Sequence, residues 1–111
     1  MMQKVVLTAA ITGAGDTIHK NENVPVTPQE LADSAIKCAR AGATVAHIHV
    51  RDPETGGVSH DPELYAETVR LIREADEDIV INVTSGGGGD FIPSLEPVSY
   101  THLTLTTSEL V

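Results

Sequence analysis

Between residues 5 and 84 the apolar positions alternate between two spacings. Residues 5–12 form an almost unbroken apolar and β-branched run closed by Gly13-Ala14-Gly15-Asp16. That is the length and punctuation of a strand buried on both faces. A polar loop over residues 17–26 follows. Thr27-Pro28-Gln29-Glu30 then reads as a capping box with proline at the first helical position. Leu31, Ala32, Ala35, Ile36 and Ala39 recur at helical spacing until Gly42, a natural helix stop. The period returns to two over residues 44–50, which predicts a second strand. Asp52-Pro53-Glu54-Thr55-Gly56-Gly57 is a turn-rich loop. Asp61-Pro62-Glu63 opens a second helix with an Asp cap, Pro at its first position and an early acid against the dipole. Leu64, Tyr65, Thr68, Val69, Ile72 and Ala75 make its apolar stripe. Residues 79–84 predict a third strand, running into Ser85-Gly86-Gly87-Gly88-Gly89-Asp90.

The order β-α-β-α-β predicts the α/β class, with a parallel sheet and right-handed crossovers. Chemistry in such folds gathers beyond the C-terminal ends of the strands. Residues 13–16, Arg51-Asp52 and residues 85–90 are all expected on that edge, together with His47, His49, Asn82 and Thr84.

The pair His47-Ile48-His49 is the sharpest chemical signal. In a strand these residues share a face with backbones about 6–7 Å apart, so both imidazoles can converge on one metal ion. Hydrogen-bonded core histidines are the other reading. A catalytic zinc site takes three protein ligands and leaves one position open, so a third ligand must come from elsewhere. His19 and His60 fall in loops and read as solvated. Thr84, Ser85 and Gly86, with the glycines that follow, can cradle an anion through backbone amides and two hydroxyls. The segment lacks the Lys-Ser/Thr of a Walker A motif, and a flexible turn is the simpler reading. Gly13-Ala14-Gly15 is too short for a dinucleotide fingerprint. Arg51 and Asp52 are expected to pair at the rim, with a substrate-facing arginine as second option. Asp16 and Asn82 complete the accessory set. Glu63, Glu67, Glu74 and Asp76 read as a solvated helix face, and Cys38 as a semi-buried structural thiol.

Composition changes the picture in two ways. The net charge of −9 and pI near 4.7 disfavour nucleic acid and anionic membranes as partners. No apolar run approaches the roughly 18–20 residues of a membrane span, and no signal peptide opens the chain, so a cytoplasmic location is expected. One cysteine precludes an internal disulfide. Aromatic residues make up only 3% of the 111, which is lean for a self-sufficient core. The tail supplies an explanation. Val98-Ser99-Tyr100-Thr101-His102-Leu103-Thr104-Leu105 breaks every preceding pattern and resembles the in-frame translation of a transposon-end adaptor used in sequencing libraries. Residues 97–111 are therefore read as non-native, and residues 1–96 as the N-terminal part of a larger fold. A (β/α)8 TIM barrel needs about 250 residues. Three strands cannot close one, and a truncated βαβαβ portion leaves its last strand as an open edge.

Four stretches carry a family resemblance: Thr8-Ala9-Ala10-Ile11-Thr12-Gly13-Ala14, Val26-Thr27-Pro28-Gln29-Glu30, Ala46-His47-Ile48-His49-Val50-Arg51-Asp52-Pro53, and Ile81-Asn82-Val83-Thr84-Ser85-Gly86. Together, over residues 3–96, they resemble the β-keto acid cleavage enzymes of the 3-keto-5-aminohexanoate type. The resemblance implies a (β/α)8 barrel holding Zn2+ or another divalent metal. It implies acyl transfer from a β-keto acid to coenzyme A, with acetyl-CoA as co-substrate and acetoacetate released, a place in lysine degradation, and a homo-oligomeric parent. It makes His47 and His49 two metal ligands, and Thr84 and Ser85, with Gly86, substrate-binding residues. Gly15 stands where the best-described members carry Glu, and Asp16 is the candidate replacement. The family's third metal ligand, its catalytic acid/base and an Arg lie near the C-terminus, so the 111-residue chain itself is expected to be inactive. An amidohydrolase-type metal barrel is an alternative, although there the histidine pair belongs to the first strand. A non-catalytic metal-binding fragment is another.

Overall fold

The computed structural model describes residues 3–84. Ser85, Gly86, the glycine run after them and the tail over residues 97–111 lie outside the described residues. The elements are β1 (Thr8–Ala10), α1 (Pro28–Arg40), β2 (Val45–Ile48), β3 (Val50–Arg51), β4 (Val58–Ser59), α2 (Pro62–Glu74) and β5 (Val80–Val83). β1, β2 and β5 form a parallel sheet in that order. This is the α/β, βαβαβ arrangement that the alternating periods predict.

Both helices start where their caps place them. Thr27 Oγ1 accepts from the Glu30 amide at 3.1 Å, while Glu30 Oε2 accepts from the amides of Val26 and Thr27 at 2.8 and 3.4 Å. Asp61 Oδ1 accepts from the Glu63 amide at 2.9 Å. Each cap satisfies donors that the first helical turn leaves orphaned. α1 ends before Gly42, at φ +112°, and α2 ends before Asp76, which takes the same left-handed role at φ +55°.

Register divides the sheet into two faces. Ala9, Ala46 and Ile81 lie in one row, and Ile48 pairs with Val83 in the next. These residues pack with Leu31, Ala32 and Ala35 of α1 and Tyr65 and Ile72 of α2 in the core. The opposite face carries the rows Thr8–Val45–Val80 and Ala10–His47–Asn82, exposed or half-buried throughout. Only one side of the sheet is covered among the described residues.

Two expectations are corrected. The first strand is three residues long rather than eight, and it is not buried on both faces: Val5, Val6 and Leu7 are 77%, 73% and 56% exposed. Among the described residues β1 is an edge strand, and α1 packs against its neighbour β2. The second concerns residues 50–59. The strand carrying the histidines ends at Ile48, and His49 separates it from β3, which pairs antiparallel with β4. The turn-rich loop is thus the tip of a hairpin. Gly56 has φ +77°, and a Cβ there would stand 2.3 Å from Ile18 Cδ1, so a side chain is excluded by backbone conformation and by packing.

Candidate functional site

His47 and His49 sit at the C-terminal end of β2, both half-buried. Their rings meet edge to face, with centroids 5.1 Å apart and planes at 76°. His47 lies in register with Ala10 on one side and Asn82 on the other. Ala10 leaves space beside the imidazole. Asn82 holds it, with Oδ1 at 2.5 Å from His47 Nδ1. Two adjacent imidazoles are the donor chemistry of a zinc or similar divalent site. Among the described residues no group of three His, Cys, Asp or Glu side chains is placed to hold a metal. The pair therefore fits such an ion as two ligands of an incomplete set.

Thr84 follows β5 on the same edge and is half-buried. Its carbonyl accepts from the Tyr65 hydroxyl at 2.6 Å. Burial pushes the Tyr65 phenol up from its ordinary value, and a hydrogen bond with the Val50 backbone acts in the opposite sense. One hydroxyl on α2 thereby links Val50, at the start of β3, to Thr84, just past β5. Sequence reasoning placed Tyr65 only in an apolar stripe. The signal available was a phenol among aliphatic residues, since a buried tyrosine hydroxyl needs a polar partner.

Arg51 is 1% exposed and does not pair with Asp52. Nε donates to Thr12 Oγ1 at 3.0 Å and Nη1 to the Gly56 carbonyl at 2.9 Å. Nη2 reaches the carbonyls of Gly13 and Gly15 at 2.8 and 2.9 Å, and Thr17 Oγ1 at 3.4 Å. Every one of these acceptors is neutral. The guanidinium pins the loop after β1 to the hairpin tip. The Asp52 carboxylate serves the turn instead, accepting from the Glu54 amide at 2.8 Å.

None of the remaining candidates joins the pair in a group of three possible metal ligands among the described residues. Asp16 and His19 form an exposed contact of 3.8 Å on the loop after β1. His60 is half-buried between β4 and α2, and burial lowers its pKa from the ordinary histidine value. Cys38 is half-buried on α1, as expected of a structural thiol.

Comparison with known proteins identifies the family. A sequence model of the beta-keto acid cleavage enzymes matches residues 4–109. The chain is 53% identical over 92 residues to the 3-dehydrocarnitine:acetyl-CoA trimethylamine transferase of Rhizobium meliloti, covering 83% of this chain and 31% of that protein. It is 42% identical over 85 residues to the 3,5-dioxohexanoate:acetyl-CoA acetone transferase of Paraburkholderia graminis, covering 77% and 27%. It is 39% identical over 87 residues to the 3-keto-5-aminohexanoate cleavage enzyme of Fusobacterium nucleatum, covering 78% and 32%. The chain thus spans about a third of the length of the curated relatives it matches. Over that third, the chain belongs to the β-keto acid cleavage enzyme family.

Proposed function

We propose that these residues are the N-terminal portion of a (β/α)8 barrel, and that the complete protein is a zinc-dependent β-keto acid cleavage enzyme. It would transfer an acyl group from a β-keto acid to coenzyme A, with acetyl-CoA as co-substrate and acetoacetate released. The observation that carries the reading is the edge-to-face pair His47 and His49 at the C-terminal end of a central parallel strand, within a chain of this family. The uncovered sheet face supports the barrel, because in the closed fold that face lines the interior. The names of these relatives concern acetyl-CoA transfer or keto acid cleavage, which supports the substrate class.

In this reading His47 and His49 provide two ligands, and later strands provide the third ligand and the acid/base. A divalent ion held there supplies Lewis-acid polarisation of the keto and carboxylate oxygens. Thr84, Ser85 and Gly86 orient the substrate. Asp16 stands in for the Glu that the best-described members carry at the Gly15 place, and Arg51 acts by holding the loop that bears it. The complete protein is a cytoplasmic homo-oligomer, and the 111-residue chain alone performs no acyl transfer.

His47→Ala and His49→Ala in the complete protein are each expected to lower bound zinc at least tenfold by elemental analysis. Unchanged metal content would refute the ligand role. Supplying acetyl-CoA with 3-dehydrocarnitine, 3,5-dioxohexanoate or 3-keto-5-aminohexanoate in turn, and following thioester product, tests the reaction. No product from any of them removes the proposed substrate class.

A further inference from the structure

The contact between His47 and Asn82 has a direction. The two residues are register partners on adjacent parallel strands, so the backbone hydrogen bonding of the sheet sets their separation. The atom of Asn82 facing the ring is Oδ1, at 2.5 Å from Nδ1. An amide oxygen only accepts. With Oδ1 facing the ring, Nδ1–H is the donor, and in the neutral imidazole that leaves Nε2 with its lone pair. Ala10, on the other side of His47 in the same row, has no side-chain group to compete for either nitrogen. We propose that Asn82 is a positioning residue: it holds His47 in the Nδ1–H tautomer and orients the ring so that Nε2 is the metal-binding atom. This deepens the metal reading above and rests on it for the role of Nε2, but not for the tautomer.

Holding a histidine ligand through its second nitrogen fixes both ring orientation and protonation, and loss of such partners typically weakens metal binding 10–100-fold. Because Asn82 is on a strand rather than a loop, the ring is set before any ion arrives.

The test reads the tautomer and the metal separately in the complete protein. At about pH 8, above the ordinary imidazole pKa, nitrogen-15 spectra of metal-free protein should show His47 protonated at Nδ1. Asn82→Leu, which removes the acceptor, should shift His47 toward the Nε2–H form and weaken zinc binding roughly 10–100-fold. Asn82→Asp, which keeps an acceptor in place, should retain the Nδ1–H form and bind zinc within a few-fold of the parent. An Nε2–H signal in the unaltered protein would overturn the proposal. So would an Nδ1–H signal that persists in Asn82→Leu with undiminished zinc affinity. If the unaltered protein shows Nδ1–H, loses it in Asn82→Leu and binds no zinc, the tautomer assignment stands and the metal reading falls.

Discussion

Arg51 shows how a single side chain can organise a functional edge without touching a substrate. Its guanidinium is buried among five neutral acceptors from the loop after β1 and the hairpin tip. Replacing it with methionine keeps much of the volume but removes the guanidinium bonds to the carbonyls of Gly13, Gly15 and Gly56, of which Gly15 keeps the Thr17 amide. We expect Arg51→Met to cost about 3 kcal/mol or more in denaturant titrations and to accelerate amide exchange across residues 12–17. Arg51→Lys, which keeps the charge but not the fork, should fall between the two. Equal exchange protection in all three would remove the clamp. The histidine pair was legible because period two places both rings on one face. The partner of Arg51 was not. Adjacent strand residues project to opposite faces, so Asp52 is poorly placed to receive it, and the true acceptors are up to 39 residues away in the chain.

At the level of elements, helices were readable and strand ends were not. Both helix starts depend on local side-chain caps, and those are written within four residues. Strand limits depend on what pairs across the sheet. Among the described residues nothing covers residues 5–7, and β1 begins only at Thr8, while the two-residue strands β3 and β4 exist only through each other. Tyr65 illustrates the reach of one element over two others, with its hydroxyl linking α2 to Val50 at the start of β3 and Thr84 just past β5. Its pKa is raised in the fold, so the phenol must stay neutral there. The stability it contributes is therefore fully present below its ordinary value of about 10 and is lost as pH rises through the folded value. Tyr65→Phe should cost about 1 kcal/mol at neutral pH by removing the hydrogen bond to the Thr84 carbonyl. It should also flatten the fall in stability above about pH 10. An unchanged alkaline limb in Tyr65→Phe would assign that fall to other groups.

For the whole molecule, the sheet covered on one face is the feature that ties sequence to proposed architecture. Val80 is 55% exposed on the open face, in the row of Thr8 and Val45. If that face lines a closed barrel, Val80→Asp should destabilise the complete protein by about 2 kcal/mol or more, because a carboxylate would be buried there without a partner. A solvent-facing valine would tolerate the change within about 0.5 kcal/mol, and that result would count against closure. Aromatic content of 3% is lean for a core, and among the described residues one face of the sheet is open. The arginine clamp also sets a schedule. Gly13 is made 38 residues before the side chain that fixes its carbonyl. At about 5–20 residues per second, a ribosome needs roughly 2–8 s to cross that interval. Throughout it the Gly15 carbonyl can hold its local bond from the Thr17 amide, while the link across to the hairpin has no donor. The loop after β1 therefore takes its final shape only once residue 51 has been made.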